Sequence, residues 1–299
     1  MARNKMSTDI LIIGAGPAGL QAAIHAARSR LRTILVGKVR YSGLAKAHIE
    51  NYCCIDGIHQ GLEFLKGGID QAVKFGAEIL EDEVLDIVKG DGGFKVETDS
   101  GLEISAKTLI FATGIRKNRL GVKGESEYVG RGVSYCVECD ANFFKGKRVA
   151  VIGDGSAAAS GAVLLSAYAE KVYLVSEGLD VSDRLRHQLE SSGVELVHGK
   201  VKEIQGSDKV ERLILEESAV DVDGVFIELG QKGAVELASK IGVNIDGEGF
   251  IVTGKSQETN IPGVFAAGDV CGPPFQVAKA VGEGCVAALS AVKYLKEPG

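Results

Sequence analysis

DILIIGAGPAGLQAAIHAAR, residues 9–28, places an apolar run, a glycine-rich turn and an alanine-rich segment in immediate succession. Residues 9–13 read as a buried strand and the segment after Gly19 as a helix. Between them Gly14, Gly16 and Gly19 follow the spacing G-x-G-x-x-G, with Pro17 and Ala18 in the last interval. In a dinucleotide-binding turn Gly14 permits the tight bend and Gly16 lets the backbone approach a pyrophosphate. Gly19 lets helix and strand pack closely. The helix N-terminus then faces the anion. The glycine spacing alone is weak; the strand before it and the helix after it make it a dinucleotide site. One element is absent. The second strand, residues 33–36, ends at Gly37 and not at an acid, so the ribose hydroxyls must be held in another way.

The arrangement occurs twice. RVAVIGDGSAAASGAVLL, residues 148–165, puts Gly153 and Gly155 in a second turn with Ala158 at the third small position, 139 residues after Gly14. TILV follows the first copy and KVYLV the second, and later strands end in glycine at Gly114 and Gly230. Two doubly wound α/β domains explain this repetition better than one large sheet. Residues 114–130, rich in glycine and charge, read as a connector, and a second is expected near residues 242–249.

Length and composition agree with two soluble domains: 299 residues, 45% hydrophobic and 25% charged. A net charge of −6 without a basic stripe argues against nucleic acid or an anionic membrane as partner. The basic patch from Arg28 to Arg32 reads as a solvated helix end. No signal peptide can be drawn, and no segment reaches the roughly 18 to 20 apolar residues of a membrane span. The expected location is the cytoplasm, where thiols are kept reduced.

SYCVECDANFF, residues 134–144, holds Cys136 and Cys139 two residues apart, with Asp140 next. A zinc clip needs four ligands. The other cysteines, at 53, 54, 271 and 285, form no second pair of that spacing, and no histidine lies close by in sequence. No metal is expected. A structural disulfide is out of place in a reducing compartment, which leaves a redox dithiol. Cys53 and Cys54 are expected to be small buried residues, and Cys271 and Cys285 likewise.

Taken in order, the first fingerprint, the ATG at residues 112–114, Cys-x-x-Cys-Asp, the second fingerprint and GVFAAGDV at residues 263–270 resemble the low-molecular-weight thioredoxin reductase family over nearly the whole chain. The resemblance implies an α/β fold of two Rossmann-like domains, the second inserted in the first. Residues 1–116 and 246–299 would bind FAD; residues 117–245 would form a nicotinamide-type domain carrying the dithiol. It also implies a homodimer and a thioredoxin or glutaredoxin-like partner. By position, Gly14, Gly16, Pro17, Ala18, Gly19, Gly37, Lys38, Gly43, Leu44, Val84, Ala112, Thr113, Gly114 and Gly268 would line the FAD. Asn51 would lie near the isoalloxazine, Asp269 would bond the ribityl chain, and Gln276 and Val277 would face the flavin O2 side. Cys139 would contact the flavin, Cys136 would attack the partner's disulfide, and Asp140 would protonate the departing thiolate. A rival of another class is a non-catalytic flavin redox sensor with the dithiol as its switch.

The pattern breaks at the electron donor. NADPH-using relatives end the strand after the second fingerprint in arginines that clamp the 2′-phosphate; here stand Ser176, Glu177 and Gly178. Arg184 and Arg186 follow Asp180 and Asp183 and do not restore the clamp, the segment after Gly230 is altered, and Phe275 stands where an arginine is common. Glu177 could instead hold the ribose of NADH. Alternatively a reduced 8-hydroxy-5-deazaflavin coenzyme or ferredoxin feeds the FAD directly, or NADPH binds weakly. The segments VSYCVECDANFF and QVAKAVGEGCVA resemble archaeal deazaflavin-linked members, which favours deazaflavin.

Overall fold

In the computed structural model, which describes residues 5–90, 92–115, 119–135, 137–229 and 234–297, the first apolar run lies inside a sheet. Strand β1 (Lys5–Ile13) begins four residues before the expected start, because residues 5–8 pair in parallel with residues 103–106. Ile10 and Ile12 enter one apolar cluster and Leu11 and Ile13 another. A strand covered on both faces has to read as a continuous apolar run, and this one does.

Helix α1 (Pro17–Arg28) and β2 (Thr33–Val36) follow, then the ribbon β3 (His48–Ile49) and β4 (His59–Gln60) and helix α2 (Gly61–Lys74). Strands β5 (Glu78–Leu80), β6 (Val84–Gly90), β7 (Gly93–Thr98) and β8 (Glu103–Phe111) come next. The middle of the chain contains β9 (Val133–Ser134), the short α3 (Val137–Asp140), β10 (Arg148–Ile152), α4 (Ser156–Leu165), β11 (Lys171–Ser176), α5 (Asp183–Ser191) and β12 (Glu195–His198). Strands β13 (Val201–Gly206), β14 (Val210–Leu215), β15 (Ala219–Asp221) and β16 (Gly224–Ile227) complete it. The chain closes with α6 (Ala234–Lys240), β17 (Val264–Ala266) and α7 (Val277–Lys296).

Among the described residues the first unit has the strand order β5-β2-β1-β8-β7-β6. Strand β8 serves two neighbours along one edge: residues 103–106 pair antiparallel with β7, and residues 109–111 pair parallel with β17. The second unit is ordered β12-β11-β10-β16-β9 and is parallel throughout, with β13-β14-β15 as a separate antiparallel sheet. The same third-second-first-fourth order occurs in both. The fifth place goes to β17, late in the chain, in one unit and to β9, ahead of the turn, in the other. Strand β10 repeats the alternation of β1, sending Val149 and Val151 to one cluster and Ala150 and Ile152 to the other. Two doubly wound α/β units are what the doubled motif required, and the insertion of the second in the first is what the family resemblance implied.

Contacts divide the chain into residues 1–115 with 233–299, and residues 116–232. The expected boundary at 245 is too late: α6 belongs to the first unit, where Leu237 and Ala238 share a buried cluster with Leu11 and Phe111. The expected connector 114–130 is also more than a connector. Buried Glu125 accepts hydrogen bonds from the Leu120 and Gly121 amides and the Tyr135 hydroxyl, tying that stretch into the second unit. Among the described residues no helix is long and apolar enough to cross a membrane.

Helices α1 and α7 approach closely because small residues face each other. Ala22, Ala23 and Ala26 of α1 and Ala287, Ala288 and Ala291 of α7 are buried in one cluster, and a Cβ at Gly284 would collide with the Ala18 carbonyl. Gly284→Val should therefore force the helices apart and lower the urea midpoint of the unit, at an overpacking cost of about 1–3 kcal/mol. An unchanged midpoint would show that the pair separates freely.

Candidate functional site

The first unit gathers its motifs at the carboxyl ends of β1, β2, β8 and β17, beside the point where strand order reverses. That is where open α/β sheets bind ligands. Gly14 has φ +116°, a left-handed value that other residues rarely take, and its amide donates to the Val36 carbonyl at 2.8 Å. A Cβ at Gly14 would strike the Ala112 carbonyl, and one at Gly19 the Gly14 carbonyl. A Cβ at Gly37 would come within 2.7 Å of the Ala15 amide nitrogen. The fold itself requires these three glycines.

Gly16 is different. Its backbone is extended (φ −86°, ψ −176°), and a Cβ there would meet only the Ser42 hydroxyl, at an ordinary 3.5 Å. Among the described residues no atom stands in the way of a Cβ at that position. It caps the N-terminus of α1, which has Pro17 in its first turn and no side-chain cap, so backbone N–H groups are left for an anion. The cradle fits a dinucleotide, whose pyrophosphate would lie close to the backbone at Gly16.

The partners of this turn come from far along the chain. A Cβ at Gly268 would lie 2.9 Å from that of Ala18, so the Gly-Asp pair sits against the start of α1. Helix α7 grips Gly268 from both sides: Glu283 accepts its amide at 2.8 Å, and Lys279 donates to its carbonyl at 3.0 Å and to that of Gly272 at 2.7 Å. Burial raises the Asp269 pKa; Lys279 opposes the shift and Glu283 adds to it. Ala112 is buried and hydrogen-bonded to the Ile13 carbonyl, and Thr113 and Gly114 follow it. Asn51 Nδ2 donates to Gln276 Oε1 at 3.1 Å, joining β3's loop to the residue just ahead of Val277 and α7. Gly43 and Leu44 open a short 3-10 helix (Gly43–Lys46), and the Leu44 amide donates to the Ser42 hydroxyl.

At the end of β2, Lys38 pairs with Glu83 at 3.0 Å, their side chains 9% and 1% exposed. A buried ammonium–carboxylate pair, just ahead of Val84, thus stands near the place of the absent acid. Sequence reasoning missed Glu83, Lys279 and Glu283. For the last two a signal existed, because they are an i,i+4 pair on the predicted C-terminal helix.

In the second unit Cys136 lies outside the described residues, and so does the Cys139 side chain; the Cys139 backbone and Asp140 belong to α3. The flanking residues are fixed by carboxylates. Tyr135 donates to Glu125 at 3.0 Å, and burial with this bond raises the Tyr135 pKa. The Val137 amide donates to Glu228 at 3.1 Å, and buried Val137 packs against Gly161 of α4.

The second fingerprint turns inward on itself. Asp154, between its two glycines, accepts from the Ser176 hydroxyl at 2.7 Å and the Glu177 amide at 3.0 Å. Its carbonyl accepts the Asp180 amide at 2.7 Å, and Ser176 Oγ accepts the Gly178 amide at 3.1 Å. Arg186 donates to the Leu179 carbonyl. Residues 230–233 lie outside the described residues, so the altered segment there has no structural account.

The four described cysteines depart from the buried expectation. Cys53 and Cys54, in the loop between β3 and β4, are exposed; Cys271 and Cys285 are half-buried. Burial, with Glu283 adding to it, pushes the Cys271 thiol up to about 12, which makes it unreactive.

Residues 8–284 match the family described as pyridine nucleotide-disulphide oxidoreductase. The thioredoxin reductase of Listeria monocytogenes is 36% identical over 99% of this chain and 97% of its own, and that of Aquifex aeolicus 38% over 96% and 93%. Among solved structures, the atypical thioredoxin reductase TRi of Desulfovibrio vulgaris Hildenborough superposes with a TM-score of 0.81 at 37% identity, covering 96% of this chain and 98% of that one. A ferredoxin-flavin thioredoxin reductase from Clostridium acetobutylicum gives 0.71 at 35% identity, covering 98% and 99%.

Replacing Gly16 by valine should cost the cofactor-free chain no more than about 1 kcal/mol, since a Cβ there makes only an ordinary contact with Ser42 and the loss is that of a poorer N-cap. The same change should abolish retention of the dinucleotide. Thermal melts and a cofactor count on the purified variant check both; a variant that keeps its dinucleotide would contradict the phosphate role of this position.

Proposed function

Because the chain belongs to the pyridine nucleotide-disulphide oxidoreductase family, and within it to the thioredoxin reductases, we propose that it carries electrons from a donor other than NADPH, through FAD, to a thioredoxin disulfide. FAD, when bound, supplies the two-electron relay between donor and dithiol. Gly14, Gly16 and Gly19 with the start of α1 would hold its pyrophosphate, and Asp269, Asn51 and Gln276 its ribityl and ring portions.

The sulfur chemistry belongs to the second unit. The Cys136 thiolate attacks the partner's disulfide, forming a mixed disulfide and expelling one partner thiolate, which Asp140 protonates. Cys139 then attacks the Cys136 sulfur and releases the second partner thiol, leaving a Cys136–Cys139 disulfide to be reduced again. Glu125 and Glu228 hold the residues on either side of Cys136 and so support its presentation.

The observation that carries the donor reading is the Asp154 carboxylate bonded to the end of β11. An adenosine 2′-phosphate at that strand end would meet Asp154 and Glu177, two carboxylates, in place of arginines. The Ser176 hydroxyl and the Glu177 amide, which would otherwise face a nucleotide, already serve Asp154. The donor proposed first is a reduced 8-hydroxy-5-deazaflavin. Reduced ferredoxin is the second reading, favoured by the similarity to the Clostridium enzyme.

Cys136→Ser and Cys139→Ser should each reduce thioredoxin-disulfide turnover to background while donor-to-flavin electron transfer survives. Normal turnover in either variant would refute the assigned roles, and a non-catalytic sensor would show no turnover in the parent. Asp154→Gly combined with Glu177→Arg should tighten NADPH binding by about tenfold to a hundredfold, the worth of one charge-assisted contact of about 1.5–3 kcal/mol. Calorimetry that finds no gain would remove Asp154 from the account.

A further inference from the structure

The ribbon loop after Asn51 contains a second pair of sulfurs that the disulfide-reductase chemistry does not use. Cys53 and Cys54 are both exposed, and their Sγ atoms lie 3.4 Å apart. Adjacent side chains of an extended chain point to opposite faces, so neighbouring cysteines do not normally converge. Here Cys54 has φ +68°, a left-handed value uncommon outside glycine, and the two sulfurs meet on one side.

We infer that Cys53 and Cys54 form a bidentate site for a soft, thiophilic centre of the trivalent organoarsenic class. With thiolate sulfurs about 2.3 Å from a shared centre, as they sit on zinc, a separation of 3.4 Å closes an angle of roughly 95°. That is narrower than tetrahedral and far from the straight angle of a two-coordinate ion. It suits a pyramidal centre that carries a lone pair. Zinc would also need further ligands, and among the described residues no group of three or more His, Cys, Asp or Glu side chains is placed to hold a metal. A monosubstituted arsenic(III) dihydroxide needs only two sulfurs. Two As–S bonds form and two As–O bonds break, the thiol protons leaving with the hydroxyls as two waters, and no oxidation state changes.

Closing the pair to a disulfide is the competing chemistry. Adjacent Cα atoms are about 3.8 Å apart, short of the roughly 4.4–6.8 Å of a relaxed bridge. Such a bond would be strained and easily reduced, so chelation is favoured over oxidation.

The test uses the FAD-loaded protein carrying Cys136→Ser and Cys139→Ser, so that the catalytic dithiol does not compete. Phenylarsine oxide is added, excess glutathione is applied, and intact mass is read. One phenylarsenic group per chain should survive the monothiol wash and leave with 2,3-dimercaptopropanol. A further Cys53→Ser or Cys54→Ser should cut retention by about tenfold or more, because the second attachment becomes bimolecular. Loss of the adduct to glutathione, unchanged retention in either serine variant, or recovery of the pair as a disulfide in reducing buffer would each overturn the inference.

Discussion

The first unit depends on the close approach of α1 to the turn that follows β1. Gly19 lies against the Gly14 carbonyl with no room for a Cβ, and Gly14 lies in the same way against Ala112. Those two contacts fix the exit of β1, the start of α1 and the end of β8 relative to one another. Gly268 then packs on Ala18, and α7 clamps it through Lys279 and Glu283. Helix, turn and strand ends thus converge on one corner at the start of α1. The second unit uses the same construction, with Gly153 pressed against the Glu228 carbonyl and Ala158 packed beside it.

The two corners differ in the residue between the first two glycines. Ala15 in the first leaves the corner free for a ligand. Asp154 in the second reaches across and accepts from the Ser176 hydroxyl and the Glu177 amide. A carboxylate within hydrogen-bond distance of those groups repels a phosphate and gains nothing from one. The duplicated fold therefore does not imply a duplicated ligand. Specificity resides in a few side chains placed on a shared frame.

Much of this was legible in the sequence, because the fingerprints are local: their glycines, the flanking apolar runs and the Cys-x-x-Cys-Asp segment all lie within about one βα unit. The rest depends on contacts between distant positions. The Lys38–Glu83 pair, the Asn51–Gln276 hydrogen bond and the Glu228 acceptor join residues that no short-range pattern connects. The early start of β1 follows from its partner β8, and the place of α6 in the first unit from burial of Leu237. The exposure of Cys53 and Cys54 was misjudged for a related reason: composition says that free cysteine is usually buried, and only the fold shows that this loop lies at the surface.

The central claim is that a thioredoxin reductase of this construction does not take its electrons from NADPH. The direct measurement is anaerobic bleaching of the bound flavin by NADPH, NADH, reduced ferredoxin and reduced 8-hydroxy-5-deazaflavin, each mixed in turn with the unmodified protein. Slow bleaching by both nicotinamides, with fast bleaching by the deazaflavin or by ferredoxin, is the predicted result. Rapid, saturable bleaching by low concentrations of NADPH would contradict it.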